Sequence, residues 1–143
     1  MEKTIKEINE FLMNATRYLA VHSEETKFKY AIKKVVKRLD AATEKAKDDY
    51  NEKLTDNNVS LASVDKSGNI LYEMEIEENN GVKKEVKTDI PKYTPEKLKE
   101  RNKLQNELFK NLLATEIEFE PYIATQIPEL TEEETDNFKD FVL

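Results

Sequence analysis

Two stretches in the first third of the chain carry apolar residues at the three- and four-residue spacing of an amphipathic helix. In the first stretch, Thr4 and Glu7 have the spacing of a capping box. The apolar positions of this stretch are Ile5, Ile8, Leu12, Ala15 and Leu19. The pattern predicts a first helix from about residue 4 to residue 20.

The second stretch predicts a long helix. Ser23, followed by two glutamates, is typical of a helix N-terminus. Apolar positions then recur from Phe28 to Tyr50, and we expect the helix to reach Leu54. At ~1.5 Å per residue this helix is longer than a compact chain of this size is wide. Either it breaks near Asp48-Asp49, or the protein is elongated and another subunit or a partner covers one end; the unbroken pattern favours elongation.

From residue 59 the apolar period changes to two, which indicates β-strands. We expect strands over residues 59–64, 69–76 and 82–88, joined as a three-stranded antiparallel meander. The loop between the last two strands sets their pairing. A three-residue loop places Met74 opposite Val86, whereas a two-residue loop at Asn80-Gly81 places Met74 against Lys87. Because apolar pairs stabilise a sheet better, we expect the three-residue loop.

Three further elements follow. Thr94 and Pro95 form an N-cap with proline at the first helical position, which opens a third helix. Residues 116–120 alternate acidic and apolar side chains, which predicts a fourth strand. Thr131 and Glu134 form a second capping box, which starts a short C-terminal helix.

This order of elements predicts an α+β fold. It consists of an N-terminal helix, a long second helix, a three-stranded antiparallel meander, a third helix, a fourth strand and a short C-terminal helix. No repeat or linker divides the sequence. We therefore expect a single domain over residues 1–143, with a helical part at 1–55 and a mixed part at 59–143.

The composition excludes several function classes. The 143 residues include 23 basic and 30 acidic side chains, a net charge of −7, two glycines and no cysteine. The absence of cysteine excludes disulfides, thiolate nucleophiles and cysteine metal sites, and no glycine-rich loop indicates a phosphate site. No run approaches the ~20 apolar residues of a membrane span, and Met1-Glu2-Lys3-Thr4 does not begin a signal peptide. We expect an intracellular protein with no membrane association.

A basic segment is the first candidate for partner binding. Residues 27–38 contain no acid and six basic side chains, namely Lys27, Lys29, Lys33, Lys34, Lys37 and Arg38. At 100° per residue they occupy the arc of the second helix opposite its apolar stripe. This face fits nucleic acid, an acidic protein partner, or the acid-rich region at residues 116–140 of the same chain. The net negative charge makes nucleic acid the least favoured of the three.

Acidic ladders and one histidine are the candidates for chemistry. Glu73, Glu75 and Glu77 share one strand face, and residues 116–120 repeat this spacing. Such ladders can bind a hard cation, but they are also typical of the wet face of a one-sided sheet. His22 lies in the connection between the first two helices, where loop or cap hydrogen bonding is its expected role. We therefore expect no catalytic residue, no metal and no cofactor.

The late aromatic stretch is the second candidate for partner binding. Its aromatic members are Phe119, Tyr122, Phe138 and Phe141. Rigid aromatic side chains dominate the energetics of many interfaces, so these four are candidate anchors for a protein partner. The alternative, which we favour, is a C-terminal segment that packs back onto the core of the chain.

Residues 27–143 resemble small bacteriophage proteins. The resemblance lies in the lysine-rich long helix, the Asp65-Lys66-Ser67-Gly68-Asn69 turn, the passage from the third helix into residues 116–120, and the closing helix that contains Phe138. It concerns the order and texture of the elements and not a specific motif. It implies a phage or prophage origin, with the host cytoplasm or the virion as location, and it carries over no catalytic residue.

Two hypotheses of function follow. The first is a non-enzymatic protein that acts by protein–protein contact, as a phage structural or assembly component within a larger complex, with a protein partner or further copies of itself. The second is a phage-encoded inhibitor or anti-defence protein, whose acidic surface binds a nucleic-acid-binding protein of the host.

Overall fold

The computed structural model describes residues 1–143 and contains four helices and two small antiparallel sheets. In chain order the elements are β1 (Glu2–Thr4), α1 (Ile5–Val21), α2 (Lys27–Leu61), β2 (Tyr72–Asn79), β3 (Val82–Pro91), α3 (Pro95–Ala114), β4 (Glu116–Glu118) and α4 (Glu132–Phe138). The predicted α+β class is confirmed. None of the helices has both the length and the hydropathy that a membrane span requires.

The chain divides into two compact units. The first unit comprises residues 1–48 and 110–143, and the second comprises residues 49–109. Both α2 and α3 contribute residues to each unit. α2 continues through Asp48-Asp49 to Leu61, beyond the helical part expected at residues 1–55.

The first unit holds nearly all of the buried apolar side chains. They come from α1, from the first half of α2 and from residues 117–142. Aromatic rings fill the centre, where Phe11 stacks on Phe141 at 4.2 Å between ring centroids. Phe138 meets Phe11, Tyr18 and Phe28 edge to face. The C-terminal segment therefore contributes to the same core as the two N-terminal helices.

A short sheet closes the first unit. β1 pairs antiparallel with β4, with Lys3 opposite Ile117. The sequence analysis predicts β4 but not β1, because three residues carry too little alternation to be recognised before their partner is known. β1 leads directly into α1, where Thr4 and Glu7 form the predicted capping box.

The start of α2 differs from the prediction. The helix begins at Lys27 and not at Ser23. The hydroxyl of Thr26 accepts a hydrogen bond from the backbone N–H of Lys29 at 3.1 Å, which satisfies one of the free donors of the first turn. Thr26, and not the predicted Ser23, therefore caps the helix.

The second unit contains a hairpin and not the predicted three-stranded meander. Residues 59–61 belong to α2, and the expected first strand is reduced to an isolated bridge between Val64 and Ile70. The turn between these residues forms as expected, because the Asp65 carboxylate accepts the backbone N–H groups of Ser67 and Asn69. These hydrogen bonds lower the pKa of Asp65.

The pairing of the hairpin also corrects the prediction. β2 and β3 join through the two-residue loop Asn80-Gly81, and Met74 lies opposite Lys87. Both loop residues have positive φ, at 55° and 79°, as a primed turn requires. The three-residue loop was expected because it gives Met74 an apolar partner; since nearly all of the hairpin is exposed, burial does not disfavour Met74 beside Lys87. The ammonium of Lys87 lies 4.5 Å from the ring centroid of Tyr72.

The contribution of the α4 capping box to the stability of the first unit can be tested by mutation. The hydroxyl of Thr131 accepts the N–H of Glu134, whose carboxylate accepts the N–H of Thr131. We expect Thr131→Ala to lower the free energy of unfolding by about 1 kcal/mol, measured by urea titration. The control is Thr16→Ala at an exposed position inside α1, where a loss within about 0.5 kcal/mol is expected. Equal losses at the two positions would contradict the capping role.

Candidate protein-binding surface

The six basic residues predicted as one exposed face do not form one. Lys29 is buried, and its ammonium lies 3.4 Å from one carboxylate oxygen of Glu25. The ammonium of Lys33 lies 3.5 Å from the other oxygen. These two cations hold the pKa of Glu25 below its usual range. Part of the basic face is therefore paired within the chain.

Arg38 is also engaged within the first unit. Its guanidinium donates to the backbone carbonyls of Glu120 and Pro121, at 3.2 and 3.0 Å, and lies 5.3 Å from the ring centroid of Tyr122. On a helical projection Lys29 and Arg38 lie at the two edges of the basic arc, next to the apolar stripe, and this position explains their partial burial. Exposed lysines without an ion pair remain at Lys27, Lys34 and Lys37.

This difference between basic residues is testable. Arg38→Ala removes two hydrogen bonds and a ring contact, so we expect the first unit to lose about 1–3 kcal/mol of unfolding free energy. Lys34→Ala removes an exposed charge with no partner and is expected to change stability by less than about 0.5 kcal/mol. Urea unfolding of both variants measures the difference. If Arg38→Ala left the free energy of unfolding unchanged, the internal role of Arg38 would be refuted.

The candidate aromatic anchors lie largely in the core. Phe119, Phe138 and Phe141 are buried, which excludes them as exposed contacts for a partner. Tyr122 is half-buried, and its ring meets Tyr30 edge to face at 5.8 Å. The backbone N–H groups of residues 122 and 124 donate to the carbonyls of residues 141 and 142, so the C-terminal segment packs back onto the core.

His22 and the acidic ladders were the candidates for chemistry in the sequence. The ring of His22 stacks on Tyr18 at 4.0 Å between centroids, and its backbone N–H donates to the Tyr18 carbonyl. The acidic ladders bring no three carboxylate or imidazole groups together at a spacing that would hold a metal ion. The geometry around these residues therefore supports packing and capping.

The second unit has an unusual distribution of apolar side chains. Leu61 is its one buried hydrophobic residue, and α3 buries none of its side chains. Exposed large apolar residues of this unit are Val59, Val64, Leu71, Met74, Ile76, Val82, Ile90, Leu98 and Phe109. Extensive apolar exposure of this kind is typical of surfaces that bind another protein.

The hairpin exposes apolar side chains on both faces. Residues that face each other across two strands point to the same side of a sheet. In the observed pairing, Met74 and Ile76 lie on one face, and Val82 and Val86 lie on the other. Ile76 is 72% exposed and Val82 is 66% exposed. A two-stranded hairpin without a third strand or a covering layer is marginally stable in water.

The base of the hairpin is fixed by backbone hydrogen bonds. The N–H of Leu71 donates to Ser63, and the N–H of Lys92 donates to Leu71. The guanidinium of Arg101 donates to the Asn58 side chain at 2.8 Å and lies over the ring of Tyr93. These contacts join the segments at the two ends of the hairpin to each other, and they join α2 to α3, although the unit has little apolar core.

The sequence analysis did not identify residues 49–109 as a candidate site. A usable signal is present in the sequence: Asn80-Gly81 favours the two-residue loop, and that loop divides the apolar residues of the hairpin between its two faces. No protein-family model, curated protein or solved structure matches this chain.

Proposed function

We propose that this chain is a non-enzymatic structural or assembly protein that associates with further copies of itself through residues 49–109. One observation carries the proposal: this unit leaves most of its large apolar side chains in solvent. The exposed residues lie on the hairpin, on α2 and α3, and in the connection between α2 and β2. An enzyme or a small-ligand protein would be expected instead to converge polar groups in a cavity.

The energetics favour association of this unit. Complete burial of one isoleucine, leucine or phenylalanine side chain contributes roughly 1.5–3 kcal/mol. The hairpin also has a free edge on each strand, and such edges readily pair with a strand of another chain. The exposed apolar side chains and the unpaired strand edges both leave the hairpin marginally stable. A contact that covers part of this apolar surface and supplies a further strand removes both of these weaknesses.

The charge pattern favours a second copy as the partner. The second unit contains acidic and basic residues in comparable numbers, with glutamates concentrated on β2 and lysines on β3. Another copy therefore supplies both signs of charge, whereas a strongly acidic or basic partner would complement only one strand. The resemblance to small bacteriophage proteins supports a place in virion assembly.

Light scattering of the purified chain over a wide range of concentrations tests this proposal. Self-association is expected to give masses that rise with concentration toward a multiple of the 16.7 kDa chain mass. A mass of 16.7 kDa at every concentration would contradict it. If that monomer then displaced nucleic acid from a host nuclease or polymerase, the inhibitor hypothesis would replace the assembly hypothesis.

A further inference from the structure

We propose that two copies of this chain join along β3, antiparallel, about a two-fold axis at Val86. The proposal rests on the self-association proposed above and names its contact. The sheet order leaves the outer edge of β3 without a partner strand. A two-fold contact uses the same patch on both copies, so the patch must complement itself.

The backbone direction of β3 permits this pairing. Asn79 and Val82 flank the two-residue loop and are paired, and the residues that flank such a loop form a hydrogen-bonded pair, so backbone groups of odd-numbered β2 residues in the regular ladder point toward β3. Their partners across the hairpin are even-numbered residues of β3. Since backbone groups alternate in direction along a strand, Lys83, Glu85 and Lys87 present their N–H and C=O groups at the free edge.

The charges of β3 complement themselves about Val86. In this pairing Glu85 lies opposite Lys87 of the second copy, and symmetry repeats the pair. Lys83 lies opposite Asp89 of the second copy in the same way. Opposite charges across two strands are stabilising, and like charges are destabilising. An axis one residue earlier or later would oppose Glu85 to Glu85 or Lys87 to Lys87.

The apolar side chains of β3 match in the same pairing. Val86 lies opposite Val86 of the second copy, and Val82 lies opposite Ile90 of the second copy. Within the regular part of the ladder, Val82 and Val86 lie on the sheet face opposite Glu85 and Lys87, because side chains alternate along a strand. Val82 and Ile90 are exposed in the single chain. The contact therefore covers apolar residues on one face and pairs opposite charges on the other.

β2 lacks this self-complementarity. A two-fold axis at Glu75 would place Glu75 against Glu75, and Glu73 against Glu77 of the second copy. The acidic edge of β2 therefore repels another β2 strand. The expected product is a closed dimer with a four-stranded sheet, in which the two copies of β3 are central and β2 lies on each side.

Cysteine crosslinking tests the position of the axis. The chain has no cysteine, so Val86→Cys introduces a single thiol. The axis places the two Val86 Cα atoms about 4.5–5.5 Å apart, within the range of a disulfide. In the control Val82→Cys the two thiols are displaced by about 27 Å along the strands. Mild oxidation is expected to produce a covalent dimer of Val86→Cys only. Equal crosslinking of both variants, or none of Val86→Cys, would overturn the proposed axis.

Charge exchange tests the pairing independently. Glu85 faces Ile76 and Lys87 faces Met74 within the hairpin, so charge reversal at either position breaks no charge pair of the single chain. We expect Glu85→Lys or Lys87→Glu alone to weaken the dimer about tenfold or more, because each creates two like-charge pairs. The double variant restores both pairs and is expected to restore the wild-type dissociation constant, measured by sedimentation.

Glu75→Lys is the matched control for these variants. It makes the same change of charge as Glu85→Lys, but Glu75 lies on β2, the outer strand of the proposed dimer, opposite Val86 of the same chain. We expect it to leave the dissociation constant unchanged. If the wild type associates but both single variants associate equally well, or the double variant fails to recover, the β3 contact is wrong and self-association stands. A monomeric wild type would overturn both proposals.

Discussion

Replacing Phe138 with alanine is expected to lower the unfolding free energy of the first unit by about 3–5 kcal/mol. The Phe138 side chain is 1% exposed, and its ring meets three others edge to face at 5.4–5.9 Å between centroids. These rings come from α1 and α2, whereas Phe138 ends α4. Truncation removes the side chain through which the C-terminal helix contacts both long helices, and it leaves a cavity among aromatic rings.

Urea unfolding followed by near-ultraviolet circular dichroism measures this loss, because the signal reports the packing of Tyr18 and the other aromatic rings beside the cavity. The matched control is Phe109→Ala in the second unit, where the side chain is 50% exposed. We expect the control to change the stability of the first unit by less than about 0.5 kcal/mol. If Phe138→Ala costs no more than its control, Phe138 is not a central core residue.

The paired substitution Val82→Thr with Ile90→Thr is expected to weaken self-association about a hundredfold. Each dimer loses four apolar side chains, which form two Val82–Ile90 contacts, and partial burial of a few such side chains accounts for a change of this size. Threonine is β-branched and keeps the preference for strand conformation. Because both side chains are exposed in the single chain, the secondary structure of the monomer is expected to persist.

Val21→Thr is the control for this variant. Val21 is 77% exposed, more than either target, but it ends α1 in the first unit. Sedimentation of the two proteins separates a contact made by the hairpin from a general effect of surface hydrophobicity. If Val21→Thr weakened association as much as the hairpin variant does, residues 49–109 would not be the contact surface.

Local signals predicted most of the helices. The capping boxes at Thr4 and Thr131 and the Thr94-Pro95 start are completed by residues within one turn, so the sequence contains all of the information that they need. The unbroken pattern through Asp48-Asp49 likewise predicted a continuous α2, although the helix extends further than Leu54. These elements depend little on the rest of the chain.

The errors arose where the outcome depends on distant residues. β1 forms because Lys3 pairs with Ile117, and the three residues of β1 alone do not indicate that distant partner. The hairpin pairing was wrong because the prediction gave Met74 an apolar partner, which an exposed strand does not require. Arg38 was assigned to a free surface because its contact with Pro121 is formed only when the C-terminal segment folds back.

The candidate surface could not be recognised from sequence for the same reason. Val82 and Ile76 are residue types that are common in ordinary strands. They indicate a contact surface only because the structure leaves both side chains exposed. The basic and aromatic candidates were chosen by residue type, yet several of those side chains stabilise the first unit. Exposure, and not residue type, distinguishes the second unit.

Hydrogen exchange at low and high protein concentration tests the central proposal most directly, because it locates the association within the chain. We expect the amide groups of β3 to become protected as concentration rises, with Glu85 and Lys87 among the most affected, while α1 and α4 remain unchanged. Exchange rates in residues 49–109 that do not depend on concentration would contradict self-association through this unit.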